Sequence, residues 1–355
     1  MTVKYIRGFD GLRCVSIVFV LLTHLGIYDQ LTANNYLSDR FLHLISGYTG
    51  VNIFFTLSGF LITRILLSTK ASTGRISFFN FYSRRFLRLL PPLIIFYLTI
   101  AVLMYAHQIG MSKVGLLYSI FYIYNFVPHR YYTVELGPTW SLAVEEQFYI
   151  FWPLIIHFFK KSGILLLAVL LITACLIGST WLPQLSVRYH GKLILLNDYS
   201  DVIRWFIPAV APIMVGSVFS LLLSTSQKLY DYLIRKNGFL FFGFLLLFFS
   251  PLYLPAGFSD YYFVIQSIGA ASLLSWLLFN QQSVMARILE FKPIAYLGKI
   301  SYGIYIYHGI FITTGSPGII LIQRYPLNVF LTLLTAILSY EFIEKRILKF
   351  KAKFT

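Results

Sequence analysis

Charge is scarce in this sequence. Of 355 residues only 12% are Asp, Glu, Lys or Arg, and 13 of those are acidic. A soluble globular domain carries roughly 25%, so a soluble fold is excluded. Cysteine is scarcer still: Cys14 and Cys175 are the only two, each inside an apolar run, which excludes a disulfide framework. No His, Cys, Asp and Glu residues cluster at ligand spacing, so no metal is expected. Internal repeats, low-complexity tracts and an appended soluble domain are missing as well, and residues 1–355 read as a single integral-membrane domain. Lys4 and Arg7 precede an apolar run as in a signal peptide, yet no small-residue cleavage site follows. The first span is therefore expected to be retained.

Hydrocarbon fills the chain instead. Hydrophobic residues make up 58% of it and aromatics 18%, with a mean hydropathy of +0.74. Apolar runs recur at lengths near the ~20 residues that a helix needs to cross a bilayer. The expected fold class is an all-α polytopic bundle with spans near 11–29, 48–68, 91–108, 139–159, 163–182, 204–224, 238–254, 261–279, 295–315 and 328–347. The stretch KVGLLYSIFYIYNFV, 113–127, has only about 15 residues and is nearer a re-entrant or interfacial segment. Counting it as a span would move every later basic cluster, the KRILKFKAKF tail included, to the outside. The positive-inside rule thus favours ten spans with both termini cytoplasmic.

The same rule accounts for the net charge of +16. The cations fall between spans and not along one soluble face, so nucleic acid is not an expected partner and anionic lipid headgroups are. In the first inner loop Phe78, Phe81, Tyr82 and Phe86 alternate with Arg84, Arg85 and Arg88. That pattern predicts an amphipathic helix lying on the inner surface and ending at Pro91-Pro92.

Against this background a few ionisable residues sit inside spans, where lipid makes them costly and function is the usual reason for them. Arg13 and His24 are eleven residues apart, hence about 20° apart on one helix face and roughly 16 Å apart along its axis. An anion-binding guanidinium near the cytoplasmic mouth shares a stripe with an imidazole toward the outer side. In GPTWSLAVEEQFYIFWPL, 137–154, Glu145 and Glu146 lie about two turns from the outer end. That matches the depth of His24, so a carboxylate beside the imidazole is expected. In LGKISYGIYIYHGIF, 297–311, Tyr302, Tyr305 and His308 fall at i, i+3 and i+6 on one face, with Ser301 beside them, and suit a polar cavity. Gly50, Ser58 and Gly59 allow close helix approach, and Asp10 stands one turn before Arg13 as its partner. The outer segment PHRYYTVELGP and the loop 183–203 carry Tyr, Arg, Asp and His residues of the kind a sugar would suit.

Taken in order, GFDGLR running through to His24, GVNIFFTLSGFLIT, RRFLRLLPP, TWSLAVEEQFY with WP after it, and SYGIYIYH resemble the acyltransferase-3 family of bacterial integral-membrane acyltransferases. The resemblance covers residues 8 to 311. It implies transfer of an acyl group, usually acetyl from acetyl-CoA, to a hydroxyl of a cell-envelope glycan or its lipid-linked precursor at the bacterial inner membrane. It maps Arg13 and His24 onto the basic residue and histidine of the family's first span, and Arg85 and Arg88 onto its arginines before the proline. Glu145 matches the glutamate of the tryptophan-serine-leucine motif, and Tyr302, Tyr305 and His308 match the late tyrosine-rich motif. Some members carry an esterase-like domain after the last span. None follows here, so the membrane domain is expected to reach its acceptor itself or through a partner.

The expected division of labour is catalysis by His24 and Glu145 and retention of the acetyl-CoA phosphates by Arg13, Arg85 and Arg88. Acceptor or oxyanion contacts would come from Tyr302, Tyr305 and His308. The rival reading is a transporter or flippase for lipid-linked sugars, which also needs buried polar residues. The paired broken helices and inverted repeats of such proteins are not visible in the sequence.

Overall fold

Serine starts several of the helices. Ser46, Ser77 and Ser112 each accept, through Oγ, the backbone N–H three residues on. Each satisfies a donor that a helix start leaves open, worth about 1 kcal/mol. Gly8 opens the first helix differently. At φ 88° it turns the chain left-handed, a conformation glycine adopts without strain, and its N–H donates to Glu290 Oε2 at 2.9 Å.

The computed structural model describes residues 5–27, 30–31, 38–187, 193–195, 198–200, 204–225, 227–255, 258, 261–312 and 320–354. The main helices are α1 (Phe9–His24), α2 (Asp39–Leu44), α3 (Gly47–Thr73), α4 (Phe78–Tyr105), α5 (Lys113–Ile120), α6 (Thr139–Phe158) and α7 (Lys161–Val187). They continue with α8 (Ala211–Thr225), α9 (Gln227–Arg235), α10 (Gly238–Phe248), α11 (Tyr262–Phe279), α12 (Val284–Leu289), α13 (Lys292–Lys299), α14 (Ser301–Phe311) and α15 (Leu327–Leu338).

Each of the ten apolar stretches holds helix, but among the described residues only five helical segments are both long and apolar enough to cross a bilayer. They are Arg40–Thr73, Phe78–Tyr105, Lys161–Thr180, Tyr262–Phe279 and Leu327–Leu348, and they make this a membrane protein. The remainder fall short for visible reasons. α1 has 16 residues, a rise of about 24 Å against a hydrocarbon core of ~30 Å. α6 has the length, but Glu145 and Glu146 lower its hydropathy. In the stretch 113–127, α5 has eight residues and rises only about 12 Å before a 3₁₀ turn at Tyr124–Phe126.

Lipid supplies no hydrophobic drive between helices, so close backbone packing must hold the bundle. α3 occupies its centre: its most apolar stretch is 72% buried, against 17% for that of α7. It packs along α8, α1 and α11. A Cβ on Gly59 would stand 1.9 Å from the Ile213 carbonyl oxygen, and one on Gly216 would stand 2.0 Å from that of Thr56. The two backbones cross in contact there, and only glycine fits. α1 lies against α13 as well as α3, and α14 packs on α15, α1 and α4.

One expectation is corrected. The surface helix predicted to end at Pro91-Pro92 is the first part of α4, which runs 28 residues through both prolines. A proline inside a helix removes a backbone donor, and neighbouring helices can satisfy the affected carbonyls. The carbonyls that lose their donors here are those of Leu87 and Arg88, and α14 braces the chain beside them: Tyr302 OH donates to the Leu89 carbonyl and Tyr307 OH to that of Pro92, both at 3.3 Å. The all-α expectation holds, with one short two-stranded antiparallel hairpin, β1 (Leu193–Leu195) with β2 (Asp198–Ser200), in which Ile194 sits opposite Tyr199. Much of the loop 183–203 around it lies outside the described residues.

Candidate active site

Glu145 sits in the second turn of α6, and its Oε1 is the meeting point of two hydroxyls. Ser58 Oγ of α3 donates to it at 2.5 Å, and Tyr149 OH, one turn along α6, donates to it as well. The Arg85 guanidinium lies over the Tyr149 ring, 4.7 Å from its centroid. A carboxylate, two hydroxyls and a cation–π contact thus tie α3, α4 and α6 together in one polar knot. Oε1 of the neighbouring Glu146 is buried and makes no hydrogen bond among the described residues.

This knot forms one wall of a cavity of about 180 Å³. Arg13, Arg85 and Arg88 line it. Arg13 Nη1 is bound to Asp10 Oδ1 at 2.5 Å, the pairing that the i, i+3 spacing predicts. Arg88 makes no hydrogen bond among the described residues. Of the three guanidiniums only Arg13 is hydrogen-bonded to a carboxylate; Glu145 and Glu146 act on Arg85, and Glu344 on Arg88, at longer range. Burying unpaired charge is costly, and a phosphate offsets that cost through charge-assisted bonds.

Tyr302 and Tyr305 of α14 line the same cavity. Tyr305 OH lies 2.5 Å from Ser141 Oγ of α6. One turn beyond Tyr305 comes His308, fully buried, with its ring centroid 5.3 Å from that of Tyr305. His24, the last residue of α1, stacks on it with centroids 4.8 Å apart and planes 14° from parallel. Nδ1 of His308 meets the carbonyl oxygen of Tyr305. A carbonyl only accepts, so the proton sits on Nδ1 and the lone pair on Nε2. Among the described residues that buried Nε2 has no hydrogen-bond partner, and neither has Nδ1 of His24.

The cavity brings together Arg13, Arg85, Arg88, Glu145, Tyr302 and Tyr305. His24 and His308 form a separate pair one turn further along α14. The expected pairing of His24 with Glu145 is not made: the carboxylate is taken up by Ser58 and Tyr149. The reason is which helix meets the end of α1. α14 packs there and supplies an imidazole, while Glu145 sits one level lower, one turn past the Ser141–Tyr305 contact.

Sequence reasoning passed over Ser58, assigned to packing alone, and Tyr149, one turn from Glu145 on the same face. It also passed over Arg204, whose guanidinium lies 5.2 Å from the Tyr132 ring centroid and 5.8 Å from that of Trp140. Glu145 and Tyr149 at i, i+4 carry a readable signal. Arg204 carries none, because its ring partners are distant in sequence. No group of three or more His, Cys, Asp or Glu side chains that could hold a metal occurs among the described residues.

Residues 6–342 match the family model described as an acyltransferase domain. A candidate peptidoglycan O-acetyltransferase, YrhL of Bacillus subtilis, is 31% identical over 97% of this chain and 55% of its own length. The peptidoglycan O-acetyltransferase OatA of Listeria monocytogenes is 27% identical over 98% of this chain and 56% of its own. The O-acetyltransferase OatA of Staphylococcus aureus is 28% identical over 98% and 58%. The chain thus spans a little over half the length of these relatives. No solved structure matches it.

Proposed function

This chain belongs to the acyltransferase domain family, and on that premise we propose that it is a membrane O-acyltransferase. It moves an acyl group, acetyl from acetyl-CoA, from the cytoplasmic side of the bacterial inner membrane to a hydroxyl of a cell-wall glycan or its lipid-linked precursor. The carrying observation is the layout of one polar path. Three guanidiniums and Tyr305 line one cavity, and one turn along α14 from Tyr305 two stacked imidazoles carry nitrogens with no hydrogen-bond partner among the described residues.

In this reading the basic clusters keep their cytoplasmic placement, with ten membrane-crossing or membrane-embedded segments and both ends inside. Arg13, Arg85 and Arg88 hold the phosphates of acetyl-CoA, with forked donors suited to them. The pantetheine arm then follows α1 over the roughly 16 Å that eleven helical residues provide. The acceptor oxygen attacks the thioester carbonyl carbon, a C–O bond forms, and the C–S bond breaks. The hydroxyl proton passes to the imidazole pair of His24 and His308 and from there to the departing thiolate, leaving free CoA and an O-acyl ester. Support for His308 as proton acceptor comes from its tautomer, whose Nε2 lone pair is uncommitted. Tyr305 OH, held at Ser141, and Tyr302 OH are the donors at hand for the thioester oxyanion. Glu145 acts as a positioning residue, holding Tyr149 and through its ring Arg85.

The test is thioester consumption. Membranes holding this protein, given acetyl-CoA and a peptidoglycan fragment, release free CoA and yield O-acetyl ester in step. A transporter for lipid-linked sugars would release none, and that outcome would overturn the reading.

A further inference from the structure

A second cavity opens on the far side of α3 and shares no residue with the first. The helix partitions the two. Ser58, Leu61, Ile62 and Ile65 face the acyl cavity, while Arg64, Leu67, Ser68 and Ala71 face this cleft. Each set repeats at i, i+3, i+4 and i+7, and a six-residue offset turns one about 120° from the other.

The cleft measures about 1270 Å³, larger than the ~300–1,000 Å³ of a typical small-molecule site. Five cations line it, Arg7, Arg64, Lys70, Lys160 and Lys161, and no Asp or Glu does. Two of the five have structural work. Lys70 Nζ donates to the carbonyls of Ile156 and His157 at the end of α6, at 2.6 and 3.0 Å, and Lys161 Nζ donates to that of Ser224 at the end of α8. Arg7 reaches Gln282 Oε1 at a long 3.4 Å. Arg64 and Lys160 make no hydrogen bond or ion pair among the described residues. Yet Arg64 is only partly exposed, where an uncompensated charge is costly. Between the cations the walls are hydrocarbon, from Leu67, Ile156, Ile164, Leu223 and Leu278.

Cations over apolar walls, with no carboxylate among them, suit an anion that carries its own hydrocarbon. We propose that this cleft binds an anionic phospholipid, its phosphate held by Arg64 and Lys160 and the start of its chains lying on the leucine and isoleucine walls. Arg64 supplies the forked donor that meets two phosphate oxygens at once, and Lys160 supplies a point charge. The proposal stands apart from acyl transfer, because it concerns a different face of α3 and is read by binding alone.

The experiment measures thermal unfolding of the full chain, purified in uncharged detergent, against added phosphatidylglycerol, phosphatidylcholine or water-soluble adenosine 3′,5′-bisphosphate. Phosphatidylglycerol should raise the Tm of the wild type and phosphatidylcholine should not. In Arg64→Gln/Lys160→Gln the apparent affinity for phosphatidylglycerol should fall about tenfold or more. If the double variant does not fold, Lys160→Gln alone, at an exposed position, is read in the same way. Equal shifts with the two lipids, or an unchanged affinity in the variant, overturn the proposal. A shift with the bisphosphate and none with phosphatidylglycerol also overturns it, by making the occupant a free phosphate.

Discussion

The imidazoles of His24 and His308 lie face to face, 4.8 Å between centroids and 14° from parallel, although 284 positions separate them in the chain. Among the described residues neither ring has a carboxylate hydrogen bond, and each keeps one buried nitrogen without a partner. A proton can be taken up at either nitrogen without breaking an existing bond. That property suits a pair that acts on a transient substrate hydroxyl.

Replacing either histidine with alanine should lower CoA release in the presence of acceptor by on the order of 10²–10⁴. If the rings act as one unit, the double variant should be no worse than the poorer single variant. Multiplicative losses in the double variant would show that the two rings do separate jobs.

Glu145→Gln separates positioning from proton transfer. Its oxygen is already shared by Ser58 and Tyr149, so neutralising it loosens Tyr149 and the Arg85 stacked on it. The expected result is a KM for acetyl-CoA raised about tenfold with the pH dependence of kcat unchanged. A displaced pH profile would return Glu145 to direct partnership with an imidazole.

Arg13→Lys preserves charge and discards the fork. Asp10 keeps a partner, but acetyl-CoA affinity should still weaken about tenfold, as the loss of one charge-assisted bond would produce. Isothermal titration with a non-hydrolysable acetyl-CoA analogue measures it. Unchanged affinity would reduce Arg13 to an ion-pair role.

Packing gives a prediction free of any functional premise. Gly59→Ala forces a methyl to within 1.9 Å of the Ile213 carbonyl oxygen, an overpacking that costs about 1–3 kcal/mol or more. A Tm several degrees lower is expected in detergent. Gly238→Ala, which meets nothing within 4 Å, should not lower the Tm.

Relations along a single helix were legible in the sequence. Arg13 with Asp10 follows from periodicity, and so does the shared face of Tyr302 and Tyr305, both of which line the cavity. Relations between helices were not. The depth argument placed His24 and Glu145 at similar heights, but height does not say which neighbour a helix end meets, and α14 met it first. Ser58 read as a packing residue because a small hydroxyl beside a glycine serves either purpose. Pro91-Pro92 read as a stop because proline breaks a lone helix; the tyrosines that donate beside those prolines come from α14, over 200 residues away.

The unbroken course of α4 has a mechanical consequence. An amphipathic helix resting on a membrane floats with the headgroup plane, rising and sinking as lipid length changes. Arg85 and Arg88 cannot do so, because the rod that carries them is anchored in the bundle by Tyr302 and Tyr307. Reconstitution in thinner or thicker bilayers should therefore tilt the whole protein while the gap between its arginines and its histidines stays constant, like marks on a ruler.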